Sequence, residues 1–294
     1  MLDEIALAGL EAKRLALDAR LRNVGRLMVA YSGGTDSAYL AFAAHQALGA
    51  EMLAVIADSP SLSRAHLRDA VAFAESQGIP LRVIDTHELE DAEYVRNDGS
   101  RCFHCKDELF KVMALAGGPL GFSVVAYGMN VDDRGDFRPG QKAAAEHQVL
   151  APLAEAELTK EEIRTLAREA GLRVWDKPAS ACLSSRIAYG LPVTRETLES
   201  IEKSEEALFA MGFRQFRVRH HGELARIEIA REELERMLSL SMFAEASAAL
   251  KRLGYKYVTL DLEGYRSGSM NALLPVSQIG FNGSQSAATS DGAE

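Results

Sequence analysis

Val29-Ala30-Tyr31-Ser32-Gly33-Gly34-Thr35-Asp36-Ser37 is the stretch that decides how this 294-residue chain reads. The apolar run from Leu27 to Tyr31 predicts a buried strand, and helical spacing from Ser37 to Ala47 predicts a helix directly behind it. Two glycines occupy the turn between them. Lacking Cβ atoms, they let the backbone approach a ligand closely and adopt positive φ. The N–H groups converge at the N-terminus of the following helix, where the dipole favours an anion. The pattern is that of a phosphate cradle. No Gly-Lys-Ser/Thr follows, which excludes a Walker A loop, and the third glycine of a dinucleotide fingerprint is missing.

The complete string Ser32-Gly33-Gly34-Thr35-Asp36-Ser37 behind a strand resembles the pyrophosphate loop (PP-loop) of the ATP pyrophosphatase superfamily. That resemblance implies ATP as a ligand, split into AMP and pyrophosphate while a substrate is adenylated. Asp36 is then a candidate for holding Mg²⁺ at the pyrophosphate, its plainer role being turn and cap.

Outward from this loop the chain alternates. A leading helix is expected over Leu2 to Arg22, where leucines recur at helical spacing. Further strands are expected at Met52 to Ala57, Pro80 to Ile84 and Ser123 to Tyr127, with helical segments between, one of them capped by Ser63 and running to Gln77. Alternating strands and helices predict an α/β fold with a parallel sheet covered on both faces. Ligands in such sheets bind beyond the carboxyl ends of the strands. That rule gathers Ser32 to Ser37, Asp58-Ser59 and the run from Gly128 to Asp133. Asp58 and Ser59 read either as contacts to adenine or ribose or as a simple Asp-Ser-Pro turn. Thr159 with Glu162 forms a capping box ahead of another helix.

Gly190 and Pro192 mark a break. Behind it a helix is expected over Thr194 to Met211, strands over Arg214 to His220 and Ala225 to Ile229, one helix over Glu232 to Leu253, and a strand over Tyr255 to Leu262. The reading is therefore an α/β domain over 1–190, a smaller α+β domain over 191–275, and a disordered tail over 276–294, rich in Ser, Gly, Ala and Asn.

Apolar residues at 47% and charged ones at 26% are ordinary for a soluble globular protein. The start of the chain lacks the basic and apolar regions of a signal peptide, and no long apolar run is present, so cytoplasmic residence without a membrane partner is the expectation. A net charge of −9 speaks against nucleic acid as a partner.

Three cysteines in a reducing compartment point to metal, cluster or catalytic thiols. Cys102 and Cys105 form a C-x-x-C, and Cys182 lies in the run from Lys177 to Arg186. Zinc would need a fourth ligand, His104 or His220. Three thiolates on a four-iron cluster would leave one iron free. Inert buried cysteines are the third reading. Arg217 and Arg219 alternate on one strand face, suited to capturing phosphate or carboxylate, or else simply solvated.

Four further strings carry a closer resemblance. They are Gly128-Met129-Asn130 with Asp132-Asp133 and Arg138-Pro139-Gly140; Lys177 to Arg186 with Tyr189-Gly190; Arg217-Val218-Arg219 with Ala225 to Glu228; and Tyr257 to Gly268. From about residue 25 to 275 the chain resembles the LarE family of ATP-dependent sulfur transferases, which act in making the nickel-pincer cofactor of lactate racemase. The resemblance implies adenylation of the carboxylates of pyridinium-3,5-biscarboxylic acid mononucleotide and their conversion to thiocarboxylates. It implies ATP and pyrophosphate on Ser32, Gly33, Gly34, Thr35, Asp36, Ser37, Asp58, Ser59 and Gly128. Arg217, Arg219 and Glu205 are expected on the substrate, with Glu228 nearby, and Cys182, Asp36, Ser185 and Arg186 in catalysis.

Family members with one cysteine sacrifice it as the sulfur donor, leaving dehydroalanine; those with three hold a [4Fe-4S] cluster. Cys102, Cys105 and Cys182 match the second form. Cys182 falls one residue from the single-cysteine donor position, which Ala181 occupies here. A homo-oligomer is also implied, with a hexamer as the form considered and the sulfide source left open. Other readings are a tRNA thiolase, an amide-forming enzyme of the GMP or NAD synthetase kind, and a nucleotide-sensing module without catalysis.

Overall fold

The computed structural model describes residues 2–134, 139–178 and 181–266. The expected tail over 276–294 lies outside the described residues, as does Arg138. After the leading helix α1 (Leu2–Val24), strand β1 (Leu27–Ala30) enters the centre of a four-stranded parallel sheet ordered β3-β2-β1-β4. Its partners are β2 (Met52–Asp58), with Leu27 beside Met52, and β4 (Val124–Tyr127), with Leu27 beside Val124; β3 (Leu81–Asp85) flanks β2.

All four β1 residues are buried, as a continuous apolar run in a doubly covered sheet should be. Strand alternation splits them between two cores. Leu27 and Val29 pack with Leu17, Leu40, Ala70, Phe73 and Leu166, under α1, α2 (Thr35–Leu48), α3 (Arg64–Ser76) and, later in the chain, a helix over Lys160–Glu169. Met28 and Ala30 pack on the opposite face with Phe110, Met113 and Ala143. These belong to the helices that follow α4 (Ala92–Val95): α5 (Arg101–Gly117) and α6 (Pro139–Glu146). A short α7 (Pro152–Glu155) precedes α8, the Lys160–Glu169 helix, whose start is the expected capping box: Glu162 N–H donates to Thr159 Oγ1, and Thr159 N–H to Glu162 Oε2.

The second sheet has three strands, β5 (Phe216–His221), β6 (Leu224–Ile229) and β7 (Tyr257–Leu260). β5 and β6 form an antiparallel hairpin through Gly222-Glu223, and β7 runs parallel to β6. Gly222 takes a φ of 68°, as such tight turns demand. One face, with Val218, Ala225, Ile227 and Ile229, packs on α9 (Arg195–Ala210) and on helices beyond β6.

The single helix expected over Glu232 to Leu253 is two, α10 (Arg231–Met237) and α11 (Leu240–Arg252). Ser239 is the reason. Its hydroxyl accepts from Met242 N–H at 3.2 Å, so it caps a new helix where continuous periodicity suggested an old one.

Candidate functional site

Four parallel strands deliver the segments 31–34, 59–63, 86–91 and 128–133 to one edge of the first sheet. Helices in such a fold return antiparallel to the strands, so the N-termini of α2, α3 and α5 lie at that same edge. The glycine turn is tightly built. Gly33 has a φ of 71°, and a Cβ on it would stand 2.6 Å from Ala70 Cβ. A Cβ on Gly128 would stand 2.7 Å from Ser37 N, so the exit of β4 crosses the first turn of α2 without a side chain between them. Ser37 Oγ accepts from Ser32 N–H at 3.1 Å, lies 3.0 Å from Ser32 Oγ and donates to Gly34 C=O at 3.1 Å. Thr35 Oγ1 turns inward and donates to Val174 C=O at 2.7 Å.

Asp36 stands apart in this turn. Its Oδ1 is buried with no hydrogen-bond partner among the described residues, and Oδ2 is met only by Asn130 Nδ2 at 3.4 Å. Burial raises its carboxyl above the usual range, with Lys160 opposing and Asp133 assisting. A carboxylate oxygen left open in this way suits a divalent cation, which fits Mg²⁺ held beside a phosphate cradle.

Asp58 and Ser59 stand at the same edge with their side chains engaged. Arg64 pairs with Asp58, and its Nη2 donates to the carbonyls of Ser59 at 2.8 Å and Leu62 at 2.7 Å. Ser59 Oγ donates to the buried Glu88 and accepts from Ser61 N–H at 3.0 Å.

Cys102 and Cys105 sit in the first turns of α5, three residues apart and so on one side of the helix. Cys182 precedes a 3-10 turn, Leu183–Arg186, which is fastened to the first sheet by Leu183 N–H donating to Ser61 C=O at 2.8 Å. The charge of Cys182 reaches both Cys102 and Cys105. Burial pushes Cys105 up to about 12, with Cys182 adding to it; Cys102 is raised as well by the protein packed around it and by Cys182, although its side chain reaches the surface. Cys182 goes the other way. Burial opposes its ionisation, but Arg101, the Ser184 hydroxyl at 3.1 Å and Arg186 together hold the thiol below its usual range.

Among the described residues no group of three His, Cys, Asp or Glu side chains is gathered tightly enough to hold a metal ion as it stands. The zinc candidates are engaged elsewhere: His104 Nδ1 lies 3.2 Å from Asp91 Oδ2, and His220 Nδ1 lies 3.2 Å from Tyr255 Oη. The donor set itself, three thiols with a buried guanidinium beside them, fits a [4Fe-4S] cluster by its chemistry.

The Leu183–Arg186 turn and the second unit are joined by paired arginines and acids. Arg186 grips Glu205 through Nε at 3.0 Å and Nη2 at 3.3 Å, while its Nη1 donates to the carbonyls of Ala181 at 2.7 Å and Cys182 at 3.0 Å. Glu205 Oε1 also accepts from Val218 N–H at 3.1 Å. Ser185 Oγ donates to Cys182 C=O at 2.7 Å. Ser185, Arg186 and Glu205 thus shape the loop that carries Cys182. Arg219 meets Glu228 Oε2 through Nε at 3.0 Å and Nη2 at 2.8 Å, and its Nη1 donates to Ser185 C=O at 3.1 Å. Arg226 Nη2 meets Glu228 Oε1 at 2.9 Å. Arg217, two residues from Arg219 on the same face, lies over the Tyr265 ring at 4.9 Å.

Reading the chain alone missed Asn97 and His66; Arg101, directly before the C-x-x-C, is expected from the sequence, with Lys106 and Arg186, to favour thiolate at the cysteines. Arg101 is buried between Cys102 and Cys182, donates to Asn97 Oδ1 and, at 3.0 Å, to Ser184 C=O, and faces the Tyr189 ring. Asn97, wholly buried, donates to the carbonyls of Ala188 at 3.0 Å and Leu191 at 2.8 Å. His66 Nε2 lies 2.7 Å from Ser32 C=O. Lys177, quoted above only as part of a string, donates to Gly33 C=O at 3.1 Å. Asn97 and His66 carry no comparable signal in the sequence.

No family model matches the chain. An uncharacterised protein of Synechocystis is 40% identical over 265 residues, covering 90% of this chain and 99% of its own length. The pyridinium-3,5-bisthiocarboxylic acid mononucleotide synthase of Lactiplantibacillus plantarum is 33% identical over 274 residues, covering 93% of this chain and 99% of that protein. An uncharacterised protein of Methanocaldococcus jannaschii is 29% identical over 242 residues, covering 82% and 91%.

Proposed function

Since the chain belongs to the LarE family, to which the Lactiplantibacillus plantarum synthase at 33% identity gives its activity, we propose that it converts the carboxylates of pyridinium-3,5-biscarboxylic acid mononucleotide into thiocarboxylates at the expense of ATP. The observation that carries this reading is the sharing of one sheet edge by a phosphate cradle and three thiols. A carboxylate is a poor electrophile. Its oxygen attacks the α-phosphorus of ATP, pyrophosphate leaves, and the mixed anhydride so formed carries AMP as a good leaving group. A sulfur nucleophile then adds to the acyl carbon and AMP departs.

In this reading the turn from Ser32 to Ser37, with Gly128 beneath it, receives the pyrophosphate, and Asp36 Oδ1 holds Mg²⁺ there. Asp58 and Ser59 border the nucleoside. Arg217 and Arg219 face the anionic substrate; Glu205 fixes Arg186, and Ser185 with Arg186 fixes the backbone of Cys182. Cys102, Cys105 and Cys182 would hold a [4Fe-4S] cluster that supplies sulfide as nucleophile. The division at residue 190 separates the nucleotide unit, 1–190, from a substrate unit, 191–275. The protein acts in the cytoplasm, without nucleic acid, as a homo-oligomer; among the described residues no helix is long and apolar enough to cross a membrane.

A second reading makes Cys182 itself the donor, favoured by the arginines that hold its thiol low. Sγ bonds to the acyl carbon, AMP leaves, and loss of the Cα proton then breaks Cβ–Sγ to leave dehydroalanine. Anaerobically purified protein given ATP, Mg²⁺ and the mononucleotide tests both. The expected result is release of AMP and pyrophosphate with a thiocarboxylate product, from brown protein containing iron and sulfide in near-equal amounts. Colourless protein whose Cys182 loses its sulfur on turnover selects the second reading, and absence of mononucleotide-dependent pyrophosphate release overturns both.

A further inference from the structure

We propose that His66 is a positioning residue that holds the phosphate loop open for its anion, an inference that rests on the ATP-binding reading above. Helix α3 braces the outer side of the loop at three successive residues. Tyr31 Oη donates to Ala70 C=O at 3.0 Å, His66 Nε2 meets Ser32 C=O at 2.7 Å, and the Ala70 methyl lies under Gly33 where any Cβ would collide with it. Lys177 Nζ takes the next carbonyl, that of Gly33, at 3.1 Å. Two consecutive carbonyl oxygens are therefore tied to donors.

Planarity converts this into a statement about the ligand. In a trans peptide the C=O and the following N–H point in opposite directions. Fixing the carbonyls of Ser32 and Gly33 toward His66 and Lys177 turns the N–H groups of Gly33 and Gly34 the other way, together, as an anion-binding nest requires. Glycine makes this turn possible but does not enforce it: a glycine visits either sign of φ with similar ease. The side chains enforce it. His66 suits the task because Nε2 must carry a hydrogen to bond a carbonyl. Burial, together with Lys177, holds the ring below its usual titration range, against the pull of the Ser32 carbonyl and Asp69. The neutral ring with its hydrogen on Nε2 donates to Ser32 without adding a charge beneath the loop. His66 is 34 residues from Ser32 and touches neither the proposed substrate nor the thiols, so its effect on turnover runs through the loop alone.

The test compares three variants in the full-length protein. His66→Gln places an N–H donor near the former Nε2; His66→Leu keeps bulk and removes the donor; His66→Asn keeps polarity but is too short to reach Ser32. ATP affinity by calorimetry and the KM for ATP in pyrophosphate release are the readouts, with melting temperature as a control on folding. His66→Leu and His66→Asn are expected to weaken ATP binding on the order of tenfold, the worth of one hydrogen bond. His66→Gln should restore most of that affinity, and the KM for the mononucleotide should stay unchanged in all three. If His66→Leu fails to fold, His66→Asn against His66→Gln decides the matter. Wild-type ATP affinity in the donorless variants, or equal loss in His66→Gln, overturns the proposal. Failure of the wild-type protein to bind ATP overturns instead the functional reading on which it rests.

Discussion

At the scale of single residues, Asp36 shows how function and stability oppose each other in one side chain. Burial raises its carboxyl, so the folded protein binds that proton more tightly than the unfolded chain. The stability from this group is complete in acid and is lost as pH rises through the raised value. Near neutral pH the ionised carboxylate is thus a cost that a bound cation would relieve. Asp36→Asn should raise the melting temperature of the nucleotide-free protein at neutral pH, with the gain shrinking in acid, and should abolish Mg²⁺-dependent ATP cleavage. A lower melting temperature at neutral pH contradicts the first part, and retained cleavage the second. Asp36 was legible in the chain because a turn, its glycines and its cap are neighbours in sequence. The bond from His66 to Ser32 was not, because it depends on how α3 lands against the loop. Nor was the pairing of Arg186 with Glu205, which joins two segments on no shared periodicity.

At the scale of elements, the hairpin of β5 and β6 places Glu228, with no exposure at all, between Arg219 and Arg226. Charges so buried are tolerable only while paired. Glu228→Ala should cost roughly 3–5 kcal/mol in chemical denaturation, since it strands guanidinium groups under the sheet. A loss below about 1 kcal/mol would mean that water or a neighbouring carboxylate compensates. The same hairpin carries His220 and His221. Burial lowers both, His221 adding to the effect on His220 and Arg226 to that on His221. The unfolded chain therefore takes up these protons first as pH falls. Stability from the pair is complete above the ordinary histidine value and is lost as pH drops from there through the lowered folded values. The denaturation midpoint should fall between about pH 7 and 5, and His220→Gln should flatten the slope; a midpoint that rises on acidification would contradict this. Strand and helix positions were readable from periodicity nearly throughout. The division of α10 from α11 was not, because it came from a serine that capped a helix inside an unbroken periodic pattern.

At the scale of the whole molecule, the two sheets are joined through a short piece of chain, and Asn97 holds it. Its amide donates to the carbonyls of Ala188 and Leu191 while its Oδ1 accepts from Arg101, and its own backbone adopts a φ of 57°. Asn97→Ala leaves those buried groups unpaired and puts a methyl-bearing residue in a left-handed conformation. A loss of about 3 kcal/mol is expected, with faster hydrogen exchange along 187–193 than elsewhere. Exchange that rises uniformly would show instead that the joint is not a separate unit of stability. The α/β class, the parallel sheet and the smaller second sheet followed from the order of strands and helices. The staple between the sheets did not, because a single buried asparagine leaves no pattern in a sequence.

The same connecting segment also carries Cys182, tied to Ser61 on one side by Leu183 and to His220 on the other by the Ala188 amide. Cys102 and Cys105, by contrast, are fixed to the first sheet through α5. The three thiols are therefore a ruler laid across a joint, with two marks on one body and the third on the strap between bodies. A rotation of the second sheet bears on the segment of Cys182, through Ala188 and Ser185, and not on Cys102 and Cys105. If the thiols and Arg217 act as proposed, a substrate held on the second sheet would act on the sulfur through a lever a few residues long.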